Sequence, residues 1–220
     1  MGEGERPEIE RDIASEKSLL RYAIGSKRRD RAEQTRIASA NGIAEQVQQY
    51  LRDRGTSSRT VAAYISTEFE PGTRPLLDTW RGEGMDVLIP RARDAGVLEW
   101  GRYTDGSGLR SGRHGIEEPV GPSVGIGAEG LLANHVGLLM IPALAVDLAG
   151  HRLGQGGGYY DRLLADLAGA GGSDLPSDLA IIAVVYDDEV LPAGGIPVEQ
   201  HDRLVSAAVT PTRTISLPAD

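Results

Sequence analysis

Residues 138–162 read LLMIPALAVDLAGHRLGQGGGYYDR, and this stretch decides the fold. Its first five residues, 138–142, form the most apolar strand-length run of the chain and predict a central buried strand. A glycine-rich turn region is predicted over 147–158, and a helix from Tyr160 to Ala168. A buried strand, a glycine turn and a helix in this order are typical of α/β proteins that bind a ligand at the turn.

The same alternation of strands and helices continues outward. Residues 16–53 carry apolar side chains at helical spacing and predict two helices, with a break around Gly25 and the basic run 27–31. A helix is predicted over 73–84, and the glycine-rich segment 101–130 is predicted to be a long loop. Further strands are predicted at 61–65, 85–90, 97–100, 180–185 and 205–209. This order favours an α/β three-layer sandwich with a mostly parallel sheet.

The chain length fits one domain, which we place at residues 16–212. Residues 1–15 are rich in Glu and Arg and lack the apolar core of a secretory signal, so they are predicted to be a disordered tail. Residues 213–220 are predicted to be a C-terminal tail.

Composition excludes several classes of function. The formal net charge of -9 argues against a protein that wraps nucleic acid, because phosphate contacts need an excess of Lys and Arg. No apolar run approaches the roughly 18–20 residues of a membrane span. The chain has no cysteine, which excludes disulfides and Cys-ligated zinc and fits a cytoplasmic protein.

The glycine cluster 154–158 has the character of a phosphate-binding turn. Glycines let the backbone approach a ligand closely, and the following helix offers free N–H groups and the positive end of its dipole. Arg152 adds a permanent positive charge, and Asp161 lies where the first helical turn would place a carboxylate. The spacing matches neither a Walker A loop nor the dinucleotide fingerprint. Spacing alone therefore leaves open a flexible turn or a phosphate site.

The identities of the residues in this stretch carry more information than the spacing of its glycines. Residues 142–162 closely resemble the signature of the 5-formyltetrahydrofolate cyclo-ligase family, also called methenyltetrahydrofolate synthetase. Further elements similar to those of the family occur in the expected order: KSLLR at 17–21, Ile65-Ser66 with Glu70, IEEP at 116–119 and PVEQHD at 197–202. The resemblance covers nearly the whole chain, from about residue 16 to about residue 210.

The resemblance implies a fold related to the sugar-phosphate isomerase-like folds and an ATP-dependent reaction. In this family ATP phosphorylates the formyl oxygen of 5-formyltetrahydrofolate, a second folate nitrogen attacks the activated carbon, and phosphate leaves as 5,10-methenyltetrahydrofolate forms. The implied cofactors are ATP and Mg²⁺. We expect a cytoplasmic monomer that binds its folate substrate and ATP and has no nucleic-acid or membrane partner.

The resemblance also assigns roles to residues, though not to a proton-transfer group. Without it, Lys17 and Arg21 would be interpreted as solvated helix charges and Asp161 as a charge in the first turn of a helix. Asp202 would be interpreted as a cap, and Tyr159 and Tyr160 as core aromatics. It implies ATP contacts for Lys17, Arg21, Arg152, Leu153, Gly154, Gln155, Gly156, Gly157, Gly158, Tyr159 and Tyr160. It implies folate contacts for Ile65, Glu70, His114, Tyr159 and Tyr160, and Mg²⁺ ligation by Asp161 and Asp202, with His201 beside the second carboxylate.

Three positions depart from the family pattern and bear on substrate affinity. Gln155 stands where Arg or another large residue is usual, Gly157 where many members have a polar side chain, and His114 where an aromatic residue precedes Gly-Ile. Two alternatives therefore stay open. One is a sugar-phosphate isomerase-like enzyme on the same fold, and the other is a folate- or nucleotide-binding protein without catalysis.

Overall fold

The structure is a computed structural model, and it describes residues 6–170, 179–199 and 202–218. The α-helices in these ranges are α1 (Arg6–Arg29), α2 (Glu33–Arg54), α3 (Arg74–Gly82), α4 (Gly127–Ala133) and α5 (Tyr159–Ala170). The strands are β1 (Thr60–Ala62), β2 (Asp86–Ala92), β3 (Leu98–Arg102), β4 (Leu109–Ser111), β5 (Glu117–Pro119), β6 (Ser123–Ile126), β7 (Leu138–Pro142), β8 (Ala145–Asp147), β9 (Arg152–Leu153), β10 (Ala180–Val184), β11 (Val190–Leu191), β12 (Ala207–Val209) and β13 (Thr214–Ser216).

A large mixed sheet forms the centre of the domain, with strand order β13-β12-β10-β7-β1-β2-β3-β6. The strands from β12 to β2 pair in parallel, whereas β13 at one edge and β3 and β6 at the other are antiparallel. Two small sheets, β11-β8-β9 and β4-β5, lie outside it. The prediction of a mostly parallel α/β sheet is confirmed.

Helices cover both faces of the sheet. The apolar side chains of α2 and α3 pack on one face, and those of α4 and α5 pack on the other. The central strand β7 serves both layers, because Leu138 and Met140 join the first cluster and Leu139 and Ile141 the second. A parallel strand buried on both faces must be apolar at every position, which explains the uninterrupted run at 138–142. The predicted three-layer arrangement is present.

Helix α1 corrects two details of the predicted organisation. It begins at Arg6, so residues 6–15 are helical rather than a disordered tail. Glu and Arg are good helix formers and need no apolar neighbours to extend an existing helix. The break between the two N-terminal helices lies at 30–32, and Gly25 lies inside α1. No helix in the described ranges is long and apolar enough to cross a membrane.

Two other segments predicted to lack regular structure contain short strands. The segment 101–130 holds the β4-β5 hairpin, β6 and the start of α4. Its strands are only three or four residues long, and Gly125 packs directly on Gly130, where a Cβ atom would lie 2.5 Å from the Gly130 Cα. The predicted tail at 213–220 contains β13, which pairs antiparallel with β12. Strands this short leave too little alternation for the sequence to reveal them.

Gly42 in α2 generates a stability prediction. A Cβ atom there would lie 2.3 Å from the carbonyl oxygen of Pro211, so we expect Gly42→Ala to lower the free energy of unfolding by about 1–3 kcal/mol. This cost outweighs the gain of roughly 1 kcal/mol in helix propensity. Gly25→Ala in α1 is the matched control, because its Cβ would meet only the Arg29 side chain at 3.5 Å. Urea denaturation measures both, and a stabilised Gly42→Ala protein would contradict the packing seen here.

Candidate active site

The winding of the sheet reverses between β1 and β7. From β1 the chain crosses through α3 to β2 on one side, and from β7 it crosses through α5 to β10 on the other. Because α3 and α5 lie on opposite faces, the chain departs in opposite directions from the carboxyl ends of two adjacent strands. In open α/β sheets, ligands bind in the crevice at such a reversal.

A pocket of about 440 Å³ lies at this crevice. Tyr64 and Ile65 follow β1, Pro142 ends β7, and Pro90 and Ala92 belong to the adjacent β2. The volume is within the range of small-molecule sites. The pocket also gathers most of the predicted site residues, namely Glu70, Arg152, Gly154, Gln155, Gly156, Gly157, Gly158, Tyr159, Tyr160 and Asp161.

The glycine stretch 154–158 forms one wall of the pocket and leads directly into α5. Gly156 has φ 98° and Gly158 has φ 68°, values that a residue with a Cβ atom adopts only under strain. Asp161 lies in the first turn of α5, as predicted. The N-terminal end of a helix, with its free N–H groups and positive dipole end, is therefore part of the pocket wall.

Arg152 and Asp161 form an ion pair within this wall. The Arg152 side chain is 3% exposed, and its Nη2 donates to Asp161 Oδ1 at 2.5 Å. Burial lowers the pKa of the guanidinium, and the Asp161 carboxylate opposes this effect. The Nε of Arg152 is also buried and has no hydrogen-bond partner in the described part of the chain. The pocket thus contains a buried cation with a donor available to an acceptor.

Helix α1 places Arg21 against the glycine stretch and Lys17, one helical turn earlier, beside two carboxylates. Arg21 Nε donates to the carbonyl oxygen of Gly154 at 2.8 Å. Lys17 Nζ lies 2.6 Å from Glu199 Oε2 and 2.7 Å from Asp202 Oδ2. Burial disfavours the charged form of Lys17, but the hydrogen bonds to the two carboxylates outweigh it and raise its pKa. Both residues face the same side of α1, as predicted, although neither lines the pocket.

The two predicted metal carboxylates sit in different surroundings. Asp161 lines the pocket, whereas Asp202 lies beside Lys17 and accepts the backbone N–H of Glu199 at 2.8 Å. Electrostatic interaction of Asp202 with Arg152 nevertheless links the two places. Among the described residues, no group of three His, Asp or Glu side chains could hold a metal by itself.

Glu70 is held in place by its own loop and by a distant segment. Its Oε2 accepts the N–H of Thr67 at 2.8 Å and the hydroxyl of Thr67 at 2.9 Å. Its backbone carbonyl accepts the hydroxyl of Tyr186 at 3.2 Å. Nearby, burial raises the pKa of Tyr64 and Tyr160, so both hydroxyls stay neutral at physiological pH. The predicted folate residue Ile65 is buried in the same wall.

Leu153 does not line the pocket, and the structure does not describe the side chains of two further predicted residues. Leu153 is 1% exposed and packs with Ile24 of α1 in an apolar cluster, so its side chain supports the glycine stretch from behind. The side chain of His114 is outside the described part of the structure, although its neighbours Arg113 and Ile116 line the pocket. His201 also lies outside the described residues.

The β4-β5 hairpin contributes pocket residues to which the sequence analysis assigned no role. It supplies Arg113, Ile116, Glu117 and Glu118, and two contacts attach it to β2. Arg91 Nε donates to Pro119 O at 2.9 Å, and the N–H of Ala92 donates to the buried Glu118 carboxylate at 3.1 Å.

A simple topological signal identifies some of the other missed residues. The carboxyl ends of adjacent parallel strands meet at one edge of a sheet, which points to Tyr64, Pro90 and Pro142. The hairpin had no such signal, because its strands were assigned to a loop.

The sequence model described as the 5-formyltetrahydrofolate cyclo-ligase family matches residues 13–211. The chain belongs to this family. It is 39% identical over 204 residues to the 5-formyltetrahydrofolate cyclo-ligase of Mycolicibacterium smegmatis, covering 90% of this chain and 95% of that protein. It is 31% identical over 159 residues to the Escherichia coli K12 cyclo-ligase, covering 71% of this chain and 80% of that protein. The resemblance noted in the sequence is confirmed.

Solved structures agree with the cyclo-ligase assignment. The Aquifex aeolicus 5,10-methenyltetrahydrofolate synthetase superposes with a TM-score of 0.71 at 26% identity and covers 93% of this chain and 94% of its own. The Mycoplasma pneumoniae 5,10-methenyltetrahydrofolate synthetase superposes with a TM-score of 0.65 at 16% identity, with 89% and 98% coverage, and supports the fold alone. The α/β cyclo-ligase fold therefore extends over nearly the whole chain.

Proposed function

We propose that this chain is a 5-formyltetrahydrofolate cyclo-ligase that converts 5-formyltetrahydrofolate and ATP to 5,10-methenyltetrahydrofolate, ADP and phosphate. One observation carries the proposal. In a chain of this family, a single pocket is lined by the glycine stretch and Arg152 on one wall and by Ile65 and Glu70 on another. The nucleotide residues and the folate residues implied by the family thus meet at the same place.

The glycine wall binds the nucleotide phosphates. Backbone N–H groups of 154–158 and of the first turn of α5 donate to phosphate oxygens, and Arg152 Nε supplies a charged donor. Arg21 fixes this wall from behind through the Gly154 carbonyl, and Lys17, one helical turn earlier on α1, is proposed to contact the ATP phosphates. Positioning and charge stabilisation are the main requirements of phosphoryl transfer, and these residues provide both.

The donor set of the pocket fits Mg²⁺ carried by a nucleotide. Mg²⁺ prefers oxygen ligands and is commonly held by one or two carboxylates together with substrate phosphates. Asp161 lines the pocket within the glycine wall, and Asp202, which is paired with Lys17, interacts electrostatically with Arg152 of that wall. We propose these two carboxylates as the ligands. When bound there, Mg²⁺ neutralises charge on the phosphates.

The folate is oriented by the wall that carries Ile65 and Glu70, together with Tyr159 and Tyr160 at the start of α5. Ile65, Tyr159 and Tyr160 give the pterin an apolar and aromatic surface, and the Glu70 carboxylate accepts hydrogen bonds from its donor groups. His114 is proposed to complete this surface. Holding the formyl oxygen against the phosphoryl group, and the second nitrogen against the formyl carbon, lowers the entropic barrier to both steps. Closing the substrates between the two walls keeps water from the phosphorylated intermediate.

Four further expectations belong to the same proposal. They are a relation to the sugar-phosphate isomerase-like folds, a monomeric state, a cytoplasmic location and the absence of nucleic-acid and membrane partners.

The proposal predicts an absorbance change. Mixing the protein with 5-formyltetrahydrofolate, Mg²⁺ and ATP should produce the methenyltetrahydrofolate absorption band, and the same mixture without ATP should not. A flat trace from folded protein that binds ATP would contradict the cyclo-ligase and favour a binding protein that has lost catalysis.

Asp161→Asn tests the metal role. The amide oxygen can still accept from Arg152, so the fold should persist, but the ligand charge is lost. We expect turnover to fall at least about 100-fold and the Mg²⁺ concentration for half-maximal rate to rise. Asp166→Asn is the control, since Asp166 is exposed on the same helix and outside the pocket. Wild-type Mg²⁺ dependence in the Asp161 variant would remove Asp161 from the ligand set.

Lys17→Ala tests the role of α1. Loss of a charged group near the phosphates should raise the KM for ATP about tenfold and leave the KM for the folate nearly unchanged. Lys27→Ala is the control, because Lys27 is exposed on the same helix. Steady-state kinetics with each substrate varied in turn separates the two constants. An unaltered ATP dependence would restrict Lys17 to its structural contacts with Glu199 and Asp202.

A further inference from the structure

Tyr186, which follows β10, contacts the loop that carries Glu70. It is 1% exposed and does not line the pocket. Its hydroxyl donates to the backbone carbonyl of Glu70 at 3.2 Å. Glu70 belongs to the segment between β1 and α3, which is more than a hundred residues earlier in the chain. The contact therefore connects two parts of the fold that approach each other only in the folded state.

Buried charges hold Tyr186 in this position. Its N–H donates to Glu189 Oε2 at 2.8 Å. Glu189 is 2% exposed and receives both Nε and Nη2 of Arg28 from α1, each at 2.7 Å. The guanidinium of Arg31 lies 3.9 Å from the centre of the Tyr186 ring. A bidentate buried pair and a cation over the ring leave the side chain little freedom.

The contacts of Glu70 divide into two kinds. Thr67 binds the Glu70 carboxylate from three residues away and so shapes the loop internally. The Tyr186 hydroxyl binds the backbone and so fixes where the loop lies relative to the sheet and to the glycine wall. A shift of the loop would displace the carboxylate as a unit, without disturbing the contact to Thr67.

We propose that Tyr186 is a positioning residue for the folate, which sets the location of the Glu70 carboxylate through this hydrogen bond. The inference rests on the proposed function, because the folate contact of Glu70 is part of it. Tyr186 acts on the folate side, since its contacts are with Glu70, Glu189, Arg28 and Arg31, and none of them is with the glycine stretch in the described part of the chain.

Tyr186→Phe tests the inference, because it removes the hydroxyl and keeps the ring. We expect the Kd for 5-formyltetrahydrofolate, measured by calorimetry, to rise about three- to tenfold, which corresponds to the loss of one hydrogen bond. The Kd for ADP should stay within about twofold of wild type. Arg31→Ala, which removes the cation over the ring from a partly exposed position, should weaken folate binding in the same direction by a smaller factor.

Tyr103→Phe is the matched control. Tyr103 is also buried, and its hydroxyl donates to Asp78 at 2.5 Å, but it lies outside the pocket. Its loss should lower thermal stability without changing either Kd. A rise in the folate Kd, without a rise in the ADP Kd, that occurs in Tyr186→Phe and not in Tyr103→Phe supports the inference. It does so even if both variants lose the same thermal stability.

Three results would overturn it: an unchanged folate Kd in both Tyr186→Phe and Arg31→Ala, an equal rise in the ADP Kd, or an equal folate effect in Tyr103→Phe. The proposed function is tested separately with wild-type protein. Folate binding without ATP-dependent turnover contradicts the enzyme and leaves the role of Tyr186 standing. Wild-type protein that binds no folate would overturn both.

Discussion

The reversal of winding between β1 and β7 is the constraint on which the site depends. Because helices cover both faces of the sheet, its strands must be apolar along their length, and polar groups can gather only where strands end. The reversal keeps the following segments from closing over the carboxyl ends of these two strands. Charged and glycine-rich segments meet at these strand ends and line the pocket.

Helix α1 attaches these segments to one another through three basic side chains. Lys17, Arg21 and Arg28 are four and then seven residues apart, so at 3.6 residues per turn they fall on one face of the helix. Lys17 binds Glu199 and Asp202, Arg21 binds the Gly154 carbonyl, and Arg28 binds Glu189. Opposite them, Leu19 and Tyr22 remain 71% and 75% exposed.

Charge therefore contributes strongly to the docking of α1. The Arg28–Glu189 pair is almost completely buried, and loss of one partner would leave an uncompensated charge. A helix attached in this way holds both walls of the pocket, since Arg21 binds the Gly154 carbonyl of the glycine wall and Arg28 leads through Glu189 and Tyr186 to Glu70.

The sequence could predict the elements whose pattern is local. β7 has the predicted bounds, and the glycine stretch opens a helix as expected, because an apolar run and a glycine cluster are signals within one segment. The family resemblance predicted most of the residues that line the pocket, whereas the positions of the strand ends alone would have predicted only the residues that lie there. The β4-β5 hairpin and β13 escaped prediction, since three-residue strands take their stability from partners distant in sequence.

The Arg152–Asp161 pair shows how the wall of the pocket can contain buried charges. An isolated buried guanidinium would be costly, and the Asp161 carboxylate offsets that cost. The proposed ligand carries phosphate oxygens together with a cation, so it offers a partner of opposite charge to each member of the pair. If Arg152 exchanged Asp161 for the phosphate oxygens, and Asp161 exchanged Arg152 for the cation, both buried charges would still be compensated. A phosphate without a cation would satisfy Arg152 but would crowd negative charge against Asp161, so on the proposed function we expect the pair to favour the metal complex of a nucleotide over the free anion.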